Sequence, residues 1–351
     1  MPPKEKVKLF VKKAEDKVMV RRYHYISNRQ AFKALEEIEK ENGKLTSKSK
    51  GIIDEYAVDI LGWKGFAPWL YVYTAVHGSF KEGWIPDNYY FKKVVPKIQG
   101  DYGKISFLKS LNNLIFQKEV GPDVAYYING FWFDKSFKAI AKEKLEAVLF
   151  RDTAMVVCKS DQSCQGSGVF VIRKDGFDLN AIEKIGNCTI QSYIDQHAFF
   201  NAFMPDVVAT IRMTTVVDAE NRISLRACYL RLGRFNDTHV KSVSHIRVPI
   251  DVNDGRLHEK GYLANWKRVD EHPDSKLSFV NKYIPNYKEC VQLVLELHQR
   301  MPMVRTIGWD IVVDAAGHPI VLEWNGYSND IKFSEATQGP CFQDLNWHLL
   351  K

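Results

Sequence analysis

The sequence predicts a protein of mixed helix and sheet with a mainly helical N-terminal lobe, and three observations carry that expectation. Phe32, Leu35 and Ile38 recur at helical spacing near the N-terminus. From about Asp101 onward helical and extended stretches alternate, the pattern of helices packed on a sheet. Towards the C-terminus, Gly308 to Asn325 (GWDIVVDAAGHPIVLEWN) reads as two β-rich runs around a Gly- and Pro-punctuated turn. A chain of 351 residues has room for two domains or three lobes, divided here as 1–100, 101–194 and 195–351.

In the first lobe, Ser27 and Asn28 are placed to cap a helix that ends near Gly43. Residues 63–90 gather aromatics with Gly and Pro, more often the mark of an irregular packed core than of a stacking platform. Lys104 leads into a helical stretch, ISFLKSLNNLIF, that stops before Gly121-Pro122. A strand is expected over 125–128, a helix over 134–144 and a strand over 154–158. A turn of small residues over 160–168 and a strand over 169–173 follow, and a strand over 189–194 leaves the lobe. The remainder opens with strands over 209–218 and 222–232, then a loop-rich region, a helix over 287–300 and the hairpin.

The hairpin poses an electrostatic problem. If Asp314 pairs with Pro319, Asp310 lies directly opposite Glu323. Alternation then puts Trp309, Ile311, Val313, Ile320, Leu322 and Trp324 on one apolar face. Asp310, Val312, Asp314, Val321, Glu323 and Asn325 share the other. Like charges opposed across a ladder repel, and a hard divalent cation such as Mg²⁺ with oxygen ligands removes that penalty. An amphipathic hairpin with a solvated acidic face fits the same pattern. A second candidate site lies upstream. Lys159 ends a strand, and Gly166-Ser167-Gly168 sits in the next turn, where backbone N–H groups can form an anion nest. A plain hairpin turn reads the same way, and this is no Walker A loop, since the lysine precedes the glycines.

Composition bounds the rest. Hydrophobic residues make up 45% and charged residues 26%, as in an ordinary globular protein. The longest apolar runs are too short to cross a bilayer, and the basic first 13 residues lack the apolar segment of a secretory signal. Six scattered cysteines without a CxxC pair suit a reducing, cytoplasmic setting. The net charge of +7 suits an acidic small substrate or peripheral contact with an anionic membrane surface. Nucleic acid is not expected, because no reader fingerprint accompanies the dispersed basic residues.

Taken in order, lysine, glycine turn, arginine strand and D…ExN hairpin resemble the ATP-grasp superfamily. More closely, TIQSYIDQH (189–197), ATIRMTTVV (209–217), EHPDSKLSF (271–279) and the hairpin itself resemble the sugar-transfer associated ATP-grasp family, related to teichuronopeptide-biosynthesis proteins, over roughly residues 85–345. The resemblance implies an α+β fold in which two lobes clamp ATP. It implies that Lys159 contacts the nucleotide phosphates under a flap through Gly166, Ser167 and Gly168. Gln191, where many relatives have Glu, would meet the adenine amino group. The backbone of Tyr193 and Ile194 would read the adenine edge, and Asp195 or His197 the ribose; His197 equally suits a structural hydrogen bond. Arg212 would face the γ-phosphate and acyl-phosphate, and Asp310, Glu323 and Asn325 would hold Mg²⁺. Lys104 best fits the family's first lysine, with Lys135 as rival. Trp309 stands where many ligases carry arginine, which leaves that electrostatic work to Arg212, Arg231 or Arg234. Cys164 is read as passive, and His245 and Arg247 have no role beyond nearness to an acceptor pocket.

The implied activity is an ADP-forming carboxylate–amine ligase acting through an acyl-phosphate. It would join an amine or amino acid to a sugar such as a uronic acid of a bacterial surface polysaccharide. A kinase acting on a sugar hydroxyl and a non-catalytic nucleotide-binding member of a polysaccharide assembly are the alternatives.

Overall fold

A computed structural model describes residues 3–161, 168–235 and 244–350. Contacts divide the chain into two compact units, residues 1–100 with 265–267 and 330–351, and residues 101–264 with 268–329.

The first unit is helical. Its longest helix, Pro3–Asn42, ends at Gly43, whose φ of 79° is the left-handed conformation that favours glycine. Ser27 and Asn28 do not start a helix. Both lie inside this one, and Ser27 is buried where its hydroxyl accepts from Trp69 Nε1 at 2.9 Å. The capping pattern is real chemistry used for tertiary contact instead. Helix Ser47–Asp59 is capped by Thr46, whose hydroxyl accepts from the Ser49 N–H at 3.1 Å. Helices Ala67–His77 and Lys332–Gln338 belong to the same unit. The aromatic cluster is a packed core, as the sequence suggests: Trp69, Tyr73, Trp84, Tyr89 and Tyr90 are all fully buried. Buried Glu335 ties it together, accepting from the Ile85 N–H at 2.8 Å and the Cys341 N–H at 2.7 Å. Burial pushes its carboxyl up to about 7, against the hydrogen bonds from Ile85 and Cys341.

The second unit contains two antiparallel sheets. The first consists of β1 (Asp123–Ile128), β2 (Phe131–Asp134), β3 (Met155–Ser160), β4 (Val169–Arg173) and β5 (Cys188–Ser192) in the order β2-β1-β5-β3-β4. Helices Leu145–Leu149 and Leu179–Ile185 seal its core against Ala125, Val156 and Ile190. The second sheet is formed by β6 (Thr210–Val217), β7 (Ile223–Leu232), β8 (Ile246–Pro249), β9 (Gly261–Tyr262), β10 (Arg268–Val269), β11 (Thr306–Val313) and β12 (Pro319–Asn325). Its order is β10-β9-β8-β7-β6-β11-β12. Helix Tyr287–Gln299 places Cys290, Val294 and Leu297 in the same core as the apolar residues of β6 and β11. Among the described residues no helix is long and apolar enough to cross a membrane.

Several elements differ from expectation: β2 was not expected, and β8, β9 and β10 lie where a loop-rich region was expected. Residues 134–144 are not a helix. Asp134 ends β2, and its carboxylate accepts from the Ser136 N–H at 2.8 Å and the Lys138 N–H at 3.0 Å, a local turn that competes with helix formation. The stretch from Lys104 to Phe116 is broken into 3₁₀ turns over Tyr102–Phe107 and Lys109–Leu111, followed by the short helix Asn112–Phe116. Its polar residues face inward. Asn112 accepts from Trp324 Nε1 at 2.9 Å, and Ser106 accepts from the Gly326 N–H at 3.1 Å. Such tertiary bonds outweigh the few tenths of a kcal/mol that propensity contributes per residue.

Candidate functional site

The site is built on three adjacent strands, β6, β11 and β12. Asp310 on β11 pairs with Glu323 on one side and with Arg212 of β6 on the other. The expected opposition of the two carboxylates is therefore present, with Gly308 paired to Asn325 two steps further on. The expected pairing of Asp314 with Pro319 is not. Pro319 pairs with Val313, because a β-bulge leaves Leu322 unpaired between Glu323 and Val321. The bulge moves Val321 into the buried core with Ile311 and Val313, reversing the faces that strict alternation assigns to 320–322. β11 is also buried at every position, being a central strand rather than half of a free hairpin.

The carboxylates are compensated by the protein's own cations. Arg212 grips Asp310 with a two-pronged fork, Nε to Oδ1 at 2.6 Å and Nη2 to Oδ2 at 3.0 Å. Arg231, held by Thr210 at 2.9 Å, places Nη2 2.6 Å from the same Oδ1. Burial alone would raise the Asp310 carboxyl, but the two guanidiniums hold it down at about 2. Lys109, a buried lysine, brings Nζ to 3.7 Å from Glu323 Oε1. Lys159 donates to the carbonyl of the bulged Leu322 at 3.2 Å. The bulge thus turns a backbone acceptor toward the strand-end lysine. Desolvation, reinforced by Lys109, pulls the Lys159 ammonium down to about 8, while Glu323 opposes that fall. The charge opposition read from the hairpin is real, and Arg212, Arg231 and Lys109 offset it, with Lys159 close by.

Gly308 makes room for this arrangement. A Cβ there would lie 2.1 Å from Asn329 Oδ1 and 3.1 Å from Arg212 Nη1. Asn325 turns its amide nitrogen to the Gly308 carbonyl at 3.3 Å, which leaves its oxygen as the donor that a hard cation accepts. Two opposed carboxylates and that amide oxygen fit Mg²⁺ by chemistry. Each carboxylate oxygen offers two lone-pair sites, so the arginine bonds to Asp310 leave capacity. Among the described residues no group of three His, Cys, Asp or Glu side chains forms a metal cluster.

The remaining sequence candidates are distributed around this centre. Gln191, on the central strand β5, is buried and donates Nε2 to Asp123 Oδ1 at 2.7 Å. Asp123 also accepts from the Tyr126 hydroxyl at 2.9 Å and from Asn113 at 3.1 Å, and burial nevertheless raises its carboxyl. Tyr193, Ile194 and Asp195 follow β5 in an irregular segment, where the Asp195 carbonyl accepts from the Ala315 N–H at 2.8 Å. His197 is a helix cap, its Nδ1 accepting from the Phe199 N–H at 3.1 Å. Gly168 is buried, and its carbonyl accepts from the Ser160 N–H at 2.9 Å. Gly166, Ser167 and Cys164 lie outside the described residues.

Lys104 pairs with Asp101 at 2.7 Å and lies 5.2 Å from the Tyr327 ring centre, whereas Lys135 pairs with Glu119 at the surface. Arg234 forms a fork with Asp274 at 2.7 and 2.8 Å, and Arg247 donates to the Leu263 carbonyl at 3.1 Å. The sequence reading missed Lys109 and Asp123. A lysine inside LKSLNN, read as one continuous helix, gives no sign that it is buried; an Asp directly after Gly-Pro at a strand start was the available hint.

Residues 179–345 match the family model described as sugar-transfer associated ATP-grasp. Over that span the chain is similar to this family. The span includes Gln191, Arg212, Arg231, Asp310, Glu323 and Asn325, and it begins after Lys109 and Lys159. No curated protein sequence matches the chain. Among solved structures, the biotin carboxylase domain of Hydrogenobacter thermophilus 2-oxoglutarate carboxylase, crystallised with MgADP and bicarbonate, aligns at a TM-score of 0.43 and 11% identity, over 70% of this chain and 45% of that one. Biotin carboxylase from Campylobacter jejuni aligns at 0.43 and 12%, over 92% and 69%. The D-alanine–D-alanine ligase of Coxiella burnetii aligns at 0.39 and 11%, over 72% and 59%. The chain thus spans less than half of the first of these proteins. The α+β architecture with a helical N-terminal region agrees with the fold expected of an ATP-grasp protein.

Proposed function

We propose that this ATP-grasp protein is an ATP- and Mg²⁺-dependent carboxylate–amine ligase. The observation that carries the reading is the convergence of Arg212, Arg231, Lys109 and Lys159 on two directly opposed carboxylates, Asp310 and Glu323. The four cations are gathered at one place, and a polyanionic phosphate chain is a ligand that such a gathering suits. In this reading Lys159 and Lys109 contact the nucleotide phosphates, and Lys109 takes the role that the resemblance gave to Lys104. Gln191 and the backbone of Tyr193 and Ile194 meet the base, Gly168 belongs to the flap, and His197 holds the segment beside the ribose. Asp310, Glu323 and Asn325 hold Mg²⁺, which when bound neutralises phosphate charge.

In the reaction, an oxygen of the substrate carboxylate bonds to the γ-phosphorus as the bond to the ADP oxygen breaks. An amine nitrogen then bonds to the acyl carbon, phosphate leaves and the nitrogen loses a proton. Arg212 and Arg231 are aligned to stabilise charge on the transferred group, and the lysines hold the leaving ADP. The family's description supports a sugar-linked partner, and the basic chain suits an acidic sugar or uronic acid. A cytoplasmic role in polysaccharide assembly follows from the same reading.

The test is incubation with ATP, Mg²⁺ and candidate uronic acids, with hydroxylamine in place of the amine. The reading expects ADP, phosphate and a hydroxamate. AMP with pyrophosphate would overturn it, and a stable sugar phosphate without free phosphate would make the protein a kinase.

A further inference from the structure

Helix Pro3–Asn42 buries one face, through Ser27, Ala31, Ala34, Leu35 and Ile38. At 100° per residue the opposite stripe runs through Val18, Arg22, Tyr25, Ile26, Arg29 and Phe32. The outer stripe of a surface helix in water is ordinarily polar. Here Val18 is 65% exposed, Tyr25 68% and Phe32 52%, and Ile26 stands open between them. From Asp16 to Lys33 the chain carries five Lys or Arg against a single acid. Beside the stripe, Trp63 is also exposed and borders an open cavity with Arg21, His24, Tyr25 and Asn28. The His24 ring lies edge-on to Trp63, with centroids 4.7 Å apart.

We infer that this stripe, with Trp63 at its flank, is a docking surface for an anionic phospholipid membrane. Aromatic and aliphatic side chains interleaved with arginine suit the headgroup boundary, where rings and alkyl groups reach acyl chains while guanidiniums remain with phosphates. Charge selects the occupant. A second copy laid on the stripe would set Arg22 and Arg29 near their equivalents, whereas anionic headgroups neutralise them. This surface is independent of the nucleotide site, so its test does not depend on the proposed reaction.

The full chain is sedimented with phosphatidylcholine vesicles, with and without phosphatidylglycerol, at low and high salt. Binding is expected to the anionic vesicles only, and to weaken with salt. The double variant Tyr25→Ser/Phe32→Ser and the double variant Arg22→Glu/Arg29→Glu should each weaken it at least tenfold. Circular dichroism serves as the check on folding, and the exposed positions should tolerate both changes. No binding to anionic vesicles, or equal binding by folded variants, overturns the inference. A wild-type dimer in solution that both variants dissociate would instead give the stripe to a second copy.

Discussion

Replacing Lys159 by methionine should make the protein more stable and a poorer nucleotide binder. The ammonium is pulled from 10.5 down to about 8, chiefly by desolvation. At about 1.4 kcal/mol per pH unit, keeping it charged at neutral pH costs the folded state about 3 kcal/mol. Methionine retains the apolar stem without that cost. It leaves the Leu322 carbonyl without its donor, which returns about 1–2 kcal/mol. A net gain of about 1–2 kcal/mol remains. The sign agrees with linkage: a lysine whose folded value lies below its unfolded value destabilises the fold below about pH 8. That penalty fades as pH rises toward 10.5. Urea midpoints at pH 7 and pH 9.5 should therefore differ between wild type and variant at the lower pH and converge at the higher. In calorimetry the variant should bind ADP more weakly by about 1.5–3 kcal/mol, roughly 10- to 150-fold. Wild type should take up protons on binding ADP near pH 8.5, as phosphate restores the ammonium. A variant that is less stable at pH 7, or that binds ADP as wild type does, refutes the reasoning.

Arg212→Gln should destabilise the protein by about 3–5 kcal/mol in urea unfolding, because Asp310 loses its two-pronged partner in a buried site. The Asp310 carboxyl, held at about 2, contributes stability that is present above its unfolded value of 3.8 and lost as pH falls toward 2. Asp310→Asn should therefore flatten the acid limb of the stability profile below about pH 4, as read by fluorescence. Lys109→Ala should weaken ADP binding in calorimetry about as much as the Lys159 change, with Lys104→Ala and Lys135→Ala near wild type. Gly308→Ala should cost about 1–3 kcal/mol in thermal unfolding, because its Cβ falls on Asn329 and Arg212.

Eight of the twelve described strands were legible because their apolar periodicity and Gly/Pro boundaries agree, whereas β2, β8, β9 and β10 are too short to show a period. The segment Val169–Arg173 has the expected bounds, Thr210–Val217 is shorter than expected by a residue at each end, and Ile223–Leu232 by a residue at its start. The opposition of Asp310 and Glu323 was expected from a pairing of Asp314 with Pro319; the turn is one residue off that register, and the bulge at Leu322 restores the opposition. The bulge itself could not be read, since an unpaired residue leaves no mark in an alternating apolar run. The long-range cations were only partly visible. Arg231 was one of three open choices, and what distinguishes it is its place opposite Thr210 on the neighbouring strand. Lys109 was hidden because local pattern read its segment as one regular helix, whereas inward-facing Ser106, Ser110 and Asn112 break that helix. At Ser27 and Asp134 the error has one source. A short polar side chain can cap, turn or bond at long range, and only the fold selects among these.

The central claim, that the hairpin carboxylates form a Mg²⁺–nucleotide site, is tested most directly by ADP calorimetry. Wild type and Glu323→Gln are each titrated with ADP in the presence and absence of Mg²⁺. The variant should fold, since Trp309 and Trp324 stay buried in the core on the other side of the hairpin. Mg²⁺ should tighten ADP binding to wild type at least tenfold and leave the variant's affinity almost unchanged. Equal Mg²⁺ enhancement in both proteins would contradict the account.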